Sequence, residues 1–295
     1  MHYRSGFPVV GPLPLTLGHE VAGVVSAVGS TVTGPAVGQR VCVHYQVGCG
    51  SCPYCDRGFE QFCPQGQMIG NRRPGGFADQ ILIPARNAIP VPDTVSLDHA
   101  AVMMCSSATS LHALRKGRVS PGDTVAVFGA GGLGMSAVQL AFVEGASTVF
   151  AIDPNPAKRD QAARFGAETL DSLNDPVARL KGTVDVALDL VGSAPVMRQC
   201  LDSLAPMGRA VAVGLTPDTI AVGPYTDLVT GESELIGASD HLASEIRELL
   251  DHAAAGRLVL DDVVERQIPL EAGIVNGVLD ELESFAGSVR TVINP

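Results

Sequence analysis

The hydrophobic positions of this chain follow two patterns, and the change from one to the other comes near residue 110. Before that point, short valine-containing runs such as VAGVVSAV and QRVCVHY are interrupted by Gly and Pro, at roughly the 8–12-residue spacing of consecutive strands. Short apolar runs bounded by turn residues are typical of β-strands. We therefore predict a β-rich domain over residues 1–110.

Beyond residue 110, strand-like apolar runs alternate with longer amphipathic stretches. The run TVAVFGA is followed by MSAVQLAFVEGA, and STVFAID is followed by PAKRDQAARFGA. This alternation is typical of βαβ units, in which helices connect parallel strands. It predicts an α/β domain with a doubly wound parallel sheet over residues 111–255. The pattern changes again over residues 256–295, which we expect to return to the first domain.

A glycine-rich turn follows the first predicted strand of the α/β domain and fits the pattern G-x-G-x-x-G. Its residues are Gly129, Ala130, Gly131, Gly132, Leu133 and Gly134. Because the turn opens a helix, its backbone amides and the helix N-terminus are suited to bind a pyrophosphate. Gly129 would permit the turn, Gly131 the close approach of the phosphates and Gly134 the packing of helix on strand. The alternative is a glycine-rich turn that binds no ligand.

An aspartate ends the next predicted strand, about 20 residues beyond the glycine motif, where dinucleotide-binding domains hold the adenosine ribose. The carboxylate of Asp153 can accept hydrogen bonds from both ribose hydroxyls and would repel a 2′-phosphate. Since no Arg immediately follows it, we predict NAD(H) rather than NADP(H) as the cofactor. Lys158 is a second candidate ribose contact, and a solvated helix lysine is the alternative.

Four of the seven cysteines crowd between Cys49 and Cys63 in the pattern C-x2-C-x2-C-x7-C. The four are Cys49, Cys52, Cys55 and Cys63. Such spacing can place four thiolates around one Zn²⁺, and a site with four protein ligands is structural because no position stays open for a substrate. The alternatives are free thiols without metal and a zinc-ribbon module that binds a partner, which the acidic charge disfavours.

Composition and charge narrow the class of protein. With 295 residues, 46% of them hydrophobic, the chain has enough material for a buried core. A net charge of -11 without any cluster of Lys and Arg argues against nucleic-acid binding. No apolar run reaches the roughly 18 residues that span a bilayer, and the N-terminus lacks the features of a signal peptide. We expect a cytoplasmic protein without a membrane partner.

The stretch GHEVAGVVSAVGSTV, Gly18 to Val32, resembles the signature of the zinc-containing alcohol dehydrogenase family, within the medium-chain dehydrogenase/reductase superfamily. The four-cysteine pattern, the GGFA segment at residues 75–78 and the glycine-rich turn follow in that family's order. The resemblance implies a Rossmann NAD-binding domain plus a GroES-like catalytic domain. It also implies a homodimer or a homotetramer.

The resemblance further implies a catalytic zinc in the cleft between the two domains. His19 and Cys105 match two of its ligands, Glu20 is the adjacent carboxylate that can approach the metal, and Thr109 matches a position near the nicotinamide. The family transfers a hydride between an alcohol and NAD(H), with an aldehyde or ketone as the oxidised form. The alternative for each residue alone is a hydrogen-bonded histidine without metal for His19, a buried thiol for Cys105 and a surface acid for Glu20.

Other site residues also follow from the resemblance. Val191, Val213 and Gly214 come after successive Rossmann strands and would line the nicotinamide half of the cofactor. Arg290 resembles an arginine that reaches toward the pyrophosphate, and a solvated arginine is the alternative. His2 aligns with the last residue of a Cys-x-x-Asp-x-His segment that carries the family's first catalytic ligand. We therefore expect an N-terminally incomplete GroES-like domain and impaired activity.

Two other functions compete with a zinc-dependent alcohol dehydrogenase. Enoyl and quinone reductases share the fold, but they typically lack the cysteine lobe and the Gly-His-Glu motif. An inactive paralogue or fragment that only binds NAD or forms oligomers is the second alternative, because one catalytic ligand is not found in this sequence. Replacing Cys105 by Ala separates them, since an activity that survives the change cannot depend on this site.

Overall fold

A computed structural model describes residues 13–283 and 290–295. By its internal contacts the chain divides into two units. The first contains the described residues up to Ala108 together with those from His241 onward, and the second is Thr109–Asp240. The sequence predicts domains over residues 1–110, 111–255 and 256–295, so its second boundary differs from this division. The reason is the helix that follows His241, which joins the first unit.

The first unit begins with short antiparallel strands separated by long loops. They are β1 (Ala22–Val24), β2 (Arg40–Val43), β3 (Gln46–Val47), β4 (Gln67–Met68) and β5 (Ala88–Pro90). Three of them form a sheet in the order β1-β2-β5, and β3 pairs with β4. The longest predicted run, VAGVVSAV, is a strand only at its start, because the chain turns through a glycine and proline-rich loop before β2.

A helical segment then leads out of the first unit. It consists of α1 (Leu97–Val102), a π-helical turn (Met103–Ser107) and α2 (Ala108–Lys116). Ser96 begins α1 as its N-cap, since its hydroxyl accepts the amide of His99 at 3.1 Å. In the π turn, the hydroxyl of Ser106 donates to the carbonyl of Val102 at 2.8 Å. Such turns re-aim side chains within a helix and are frequent at functional sites.

The second unit is a six-stranded parallel sheet with helical connections, as the alternating pattern predicts. Its strands are β6 (Thr124–Phe128), β7 (Thr148–Ile152), β8 (Glu168–Leu170), β9 (Val184–Asp189), β10 (Leu204–Ala212) and β11 (Glu234–Gly237). Its helices are α3 (Gly132–Val143), α4 (Pro156–Arg164), α5 (Pro176–Leu180) and α6 (Ala194–Ser203), with a π turn at Pro224–Val229.

The strand order in this sheet is β11-β10-β9-β6-β7-β8. This is the doubly wound Rossmann order, in which the direction of winding reverses between β6 and β9 and ligands bind at the carboxyl ends of the strands. Val125 to Phe128 are almost completely buried, as expected for a parallel strand covered on both faces. The structure thus confirms the predicted fold class.

The last elements belong to the first unit. They are α7 (Ala243–Ala254), β12 (Val264–Pro269), α8 (Ala272–Glu283) and β13 (Arg290–Asn294). The strands β12 and β13 pair in parallel. Across the described residues, every helix is too short or too polar to cross a membrane.

Candidate metal centre and dinucleotide site

The four clustered cysteines lie in a loop that the pair β3–β4 closes. One sulfur from each of Cys49, Cys52, Cys55 and Cys63 lies within 4.8 Å of the others. Two 3-10 turns, Cys55–Arg57 and Glu60–Phe62, fold the loop back on itself. Four sulfurs at this separation suit a tetrahedral Zn²⁺ without an open position. We call residues 48–66 the cysteine lobe and regard it as a candidate structural metal site.

Backbone amides donate to two of the sulfurs in the cysteine lobe. The amide of Ser51 donates to Cys49 Sγ at 3.5 Å and lowers the pKa of that thiol to about 6. The amide of Cys49 in turn donates to Cys63 Sγ at 3.2 Å. Desolvation raises the pKa of Cys55 to about 11. Binding of Zn²⁺ by Cys55 would therefore release a proton.

A second group of metal-binding side chains lies just before β1 and in the π turn. His19, Glu20 and Cys105 present a ring nitrogen, a carboxylate oxygen and a sulfur within 4.8 Å of one another. All three side chains are half-buried. These are the donor types of catalytic zinc sites, in which three protein ligands leave a fourth position open. The structure therefore brings together the three residues that the sequence predicts at the catalytic metal.

The backbone before His19 is held by the second glycine motif. Gly76 donates its amide to the carbonyl of Gly18 at 2.8 Å, and Phe77 donates to that of Leu17 at 3.0 Å. Gly18 has a φ of 96°, and a Cβ there would lie 2.6 Å from the ring of Phe77. A side chain on Gly75 would overlap the carbonyl of Gly18. The glycines of the GHE and GGF motifs are therefore explained together. They allow the two backbones to pair closely, and this pairing fixes the position of His19.

The carboxylate of Glu20 has a cationic partner. Arg290 Nη1 donates to Glu20 Oε1 at 3.0 Å and to Oε2 at 3.3 Å, and both side chains are about three-quarters buried. The pairing places the arginine of the last strand beside a predicted metal-binding acid. The role of Arg290 at a cofactor pyrophosphate stays a prediction.

A buried set of polar residues that the sequence did not single out lies beside His19. The ring of Tyr45 meets that of His19 edge to face, with centroids 4.8 Å apart. Behind Tyr45 stand His241, His44 and Glu60. The sequence carries no signal for this set, because His44 and His241 are 197 positions apart. Only the folded chain reveals it.

The glycine-rich turn of the second unit has the geometry that each glycine needs. Gly129 has a φ of 99°, and a Cβ there would lie 2.8 Å from a methyl group of Val191. A Cβ on Gly134 would overlap the carbonyl oxygen of Gly129. By contrast, a Cβ on Gly131 would meet nothing within 4 Å. A phosphate group requires such open space beside Gly131. Gly131 is the N-cap of α3, whose first residues are Gly132 and Leu133.

Asp153 joins the glycine-rich turn to the end of β7. It is buried, and its carboxylate accepts the amide of Ala130 at 2.9 Å and that of Asn155 at 2.8 Å. The acid therefore lies at the carboxyl edge of the sheet beside the turn, where the sequence predicts a ribose contact. Lys158 is half-buried in α4.

A further acid, Asp189, organises the neighbouring loop and was missed by the sequence reasoning. At the end of β9, its carboxylate accepts the amides of Val191 at 3.0 Å and Gly192 at 2.9 Å. Its backbone carbonyl accepts those of Val213 and Gly214. Burial raises the pKa of Asp189 despite these bonds. The signal was an acid that ends an otherwise apolar strand.

These bonds bring the predicted residues Val191, Val213 and Gly214 to the same edge of the sheet as the glycine-rich turn. Thr109 is half-buried in α2. His2 lies outside the described residues. The roles of these side chains toward a cofactor stay predictions.

Two family models match the chain. Residues 1–93 match the model described as alcohol dehydrogenase GroES-like domain, and residues 132–255 match the one described as zinc-binding dehydrogenase. The first match contains His19, Glu20 and the four clustered cysteines, and the second begins at Gly132, within the glycine-rich turn.

Individual relatives agree with the family models. A probable formaldehyde dehydrogenase of Bacillus subtilis is 35% identical over 257 residues, which are 83% of this chain and 72% of that protein. An NAD-dependent alcohol dehydrogenase of Sulfurisphaera tokodaii is 31% identical over 292 residues, or 96% and 82% of the two chains. The cobalt- and zinc-bound alcohol dehydrogenase of Pyrobaculum aerophilum superposes with a TM-score of 0.88 at 29% identity, covering 100% and 86%.

Proposed function

The chain belongs to the zinc-containing alcohol dehydrogenase family, and from that membership we propose that it transfers a hydride from an alcohol to NAD. In the reverse direction it would reduce an aldehyde or a ketone with NADH. The observation that carries the proposal is the convergence of His19, Glu20 and Cys105 within 4.8 Å. A purely structural or oligomer-forming protein has no need for this open donor set.

The donor atoms of the first unit fit two zinc ions of different kinds. A nitrogen, a carboxylate oxygen and a sulfur fit a catalytic ion with an open position, whereas the four sulfurs of the cysteine lobe fit a closed structural ion. When bound, the catalytic zinc lowers the pKa of an alcohol or polarises a carbonyl, and the nicotinamide exchanges the hydride.

The residues around the catalytic donors orient them. The paired GHE and GGF backbones aim His19, and the edge-to-face ring of Tyr45 restricts its rotation. Arg290 donates to both carboxylate oxygens of Glu20, so that this acid is held in place. Cys105 is presented by the π turn against the apolar cluster of Val43, Val47 and Ile69, which excludes water from one side of the sulfur.

NAD is the cofactor that the second unit supports best. The buried carboxylate of Asp153 lies next to the glycine-rich turn, and its charge favours ribose hydroxyls over a 2′-phosphate. Gly131 leaves room for the pyrophosphate, and Gly192 and Gly214 bring two loops into close approach beside it. Among relatives, the Sulfurisphaera tokodaii protein is described as NAD-dependent, which supports the same choice.

A second copy of the chain is the proposed macromolecular partner. The strand β11 is an edge of the six-stranded sheet, and Leu235 on that strand is 38% exposed. An unpaired edge with an exposed apolar side chain favours pairing with a second sheet, so we propose a homodimer or a homotetramer. Four reduced cysteines in a metal lobe suit a reducing compartment, which supports a cytoplasmic location.

The test is alcohol-dependent formation of NADH by the purified protein, with a panel of primary and secondary alcohols and with NADP as the competing cofactor. We expect activity with NAD that falls about a thousand-fold in His19→Ala, which corresponds to several kcal/mol of lost Lewis-acid stabilisation. An equal rate in His19→Ala would overturn the assignment of the metal centre. Binding of NAD without turnover of any alcohol would favour the non-catalytic alternative.

A further inference from the structure

The buried polar set beside the metal centre forms a continuous line through the first unit. Tyr45 Oη lies 3.4 Å from His241 Nδ1, and His241 Nε2 lies 3.3 Å from His44 Nδ1. The other nitrogen of His44, Nε2, lies 3.0 Å from Glu60 Oε1. Tyr45, His44 and His241 are 1%, 2% and 0% exposed. The line therefore connects three side chains that solvent hardly reaches with Glu60, which is 16% exposed.

One end of the line fixes the direction of every bond in it. An ionised carboxylate only accepts hydrogen bonds, so His44 carries its proton on Nε2, toward Glu60. With its proton on Nε2, His44 offers Nδ1 as an acceptor to His241 Nε2, and His241 Nδ1 then accepts the hydroxyl proton of Tyr45. A single carboxylate thus selects the tautomers of both histidines and the orientation of the tyrosine hydroxyl.

Glu60 itself is anchored at two places. Its Oε1 atom also accepts the amide of Ala243 at 2.7 Å, which is one of the amides that the start of α7 leaves without a helical partner. Burial would raise the pKa of Glu60, but His44 and this amide outweigh burial and lower it. Glu60 also belongs to the cysteine lobe, between Cys55 and Cys63. The position of the Glu60 carboxylate therefore depends on the fold of the cysteine lobe and on the start of α7.

The other end of the line touches the catalytic donors. The ring of Tyr45 packs edge to face on His19, and Cys105 packs on the apolar cluster that contains Tyr45. Asn87 fixes the backbone at the same point, since its side-chain amide donates to the carbonyls of His44 at 2.7 Å and Gln46 at 2.9 Å. A displacement of Tyr45 would therefore change the surroundings of His19 and Cys105 together.

Packing alone does not require these residue types. Two histidines and a tyrosine hydroxyl without exposure cost desolvation energy unless each is hydrogen-bonded, whereas apolar residues of similar volume would fill the space without that cost. A buried polar row whose members contact one another at 3.0–3.4 Å favours one arrangement of its side chains. The row therefore has the properties of a positioning device rather than of an ordinary core.

We propose that Glu60 is a positioning residue for the catalytic metal centre, acting from the cysteine lobe through His44 and His241 on Tyr45 and thereby on His19. The inference rests on the proposed function, because it assigns His19 to a catalytic metal. It adds a role for the cysteine lobe beyond its own fold, which is to supply the carboxylate that orders the neighbouring site.

The experiment compares Glu60→Ala and Glu60→Gln with wild type and with Glu245→Gln as the matched control. Glu245 is buried and accepts the amide of Leu242 at 2.8 Å, so its replacement also removes a buried carboxylate at the start of α7. Glu60→Gln keeps an acceptor oxygen for His44 and Ala243, whereas Glu60→Ala removes both anchors. Each protein is measured with zinc and with Co²⁺ in its place, and the absorption bands lost in Cys105→Ala identify the catalytic ion.

We expect Glu60→Ala to keep both metal ions, to shift the catalytic cobalt bands and to lower kcat/KM about 10–100-fold, the usual effect of losing a residue that orients a metal ligand. Glu60→Gln should restore most of the rate and the spectrum, and Glu245→Gln should resemble wild type in both. His241→Phe should shift the same bands, which keeps the test decisive if Glu60→Ala does not fold. Unchanged cobalt bands and rates in folded Glu60→Ala and His241→Phe would overturn the proposal.

The cobalt spectrum separates this inference from the function on which it rests. If wild type reduces no NAD with any alcohol, the proposed function fails, while a band shift in Glu60→Ala still supports positioning. If wild type is active and the bands of all variants are identical, the function stands and the positioning role is overturned.

Discussion

Arg290 and Glu20 form a two-contact ion pair, with Arg290 Nη1 3.0 Å and 3.3 Å from the two carboxylate oxygens, although 270 positions separate them along the chain. The arginine of the last strand thus restrains the acid that stands next to His19. An acid held by an arginine is localised, so its approach to the metal is restrained.

Removing the arginine should therefore change the metal centre through Glu20. In Arg290→Ala we expect slower loss of zinc to a chelator and a kcat about ten-fold lower, because the released carboxylate approaches the metal more closely. Arg290→Lys should have a rate of zinc loss and a kcat between those of wild type and Arg290→Ala, since a lysine keeps the charge but not the planar donor geometry. Identical chelation kinetics and kcat in all three proteins would contradict this account.

The glycines of the dinucleotide turn should respond differently to the same substitution. Gly131→Ala places its Cβ in open space and should leave the melting temperature unchanged, while the affinity for NAD falls at least about ten-fold because the methyl group takes the room of a phosphate. Gly134→Ala should destabilise the unit by about 1–3 kcal/mol, because its Cβ overlaps the carbonyl of Gly129. Calorimetry and NAD titration measure the two effects, and a stable Gly134→Ala would speak against this geometry.

Replacing Asp153 should weaken the choice of NAD over NADP. In Asp153→Ser we expect the KM for NAD to rise about 10–100-fold, the equivalent of a hydrogen bond to a charged group, while use of NADP improves. Asp160→Ser is the control, since Asp160 is an exposed aspartate in α4, the helix that follows Asp153. Steady-state kinetics with both cofactors decide the matter, and an unaltered NAD to NADP ratio in Asp153→Ser would exclude a ribose role.

The two acids Asp189 and Asp227 should show opposite pH effects on stability. Burial raises the pKa of Asp189, so its ionisation disfavours the folded state at every pH above the raised value. Asp189→Asn keeps an acceptor for Val191 and Gly192, and it should be more stable than wild type at pH 7. The difference should shrink as pH falls through the raised pKa and vanish below the ordinary range of an aspartate.

Asp227 provides the comparison of opposite sign. Arg198, 2.8 Å away, and the amide of Gly223 lower its pKa, so its ionised form stabilises the folded state above the ordinary range of an aspartate. Asp227→Asn should be less stable than wild type at pH 7, with a difference that shrinks as pH falls through the lowered pKa. Urea unfolding at several pH values measures both, and curves that run in parallel for the two variants would contradict these signs.

Much of the fold follows from local patterns that the sequence displays directly. The alternation of apolar runs and amphipathic stretches predicts a parallel sheet, because central strands such as β6 and β9 are buried on both faces and leave a clear signal. The edge strand β8 is short and partly exposed, so its signal is weak. The glycine-rich turn and the cysteine spacing are equally local. The first unit is harder, since strands of two to four residues such as β1 and β3 leave little periodicity to detect.

In the candidate site, too, residues within local motifs were predictable and contacts between distant residues were not. Resemblance of a motif sufficed to predict His19, Glu20 and Cys105, whereas the ion pair of Glu20 and the line from Tyr45 to Glu60 depend on residues far apart in sequence. The change of unit after Asp240 was also out of reach, because α7 joins the first unit through contacts of Ala243 and His241 that no local pattern indicates.

The most direct test of the central claim is zinc content per chain, measured together with alcohol-dependent NADH formation, in wild type and in Cys105→Ala. The account predicts about two zinc ions per wild-type chain, one for each donor cluster, and about one in Cys105→Ala with the activity lost. A Cys105→Ala protein that keeps both zinc ions and the wild-type rate would contradict the assignment of His19, Glu20 and Cys105 as the catalytic metal centre.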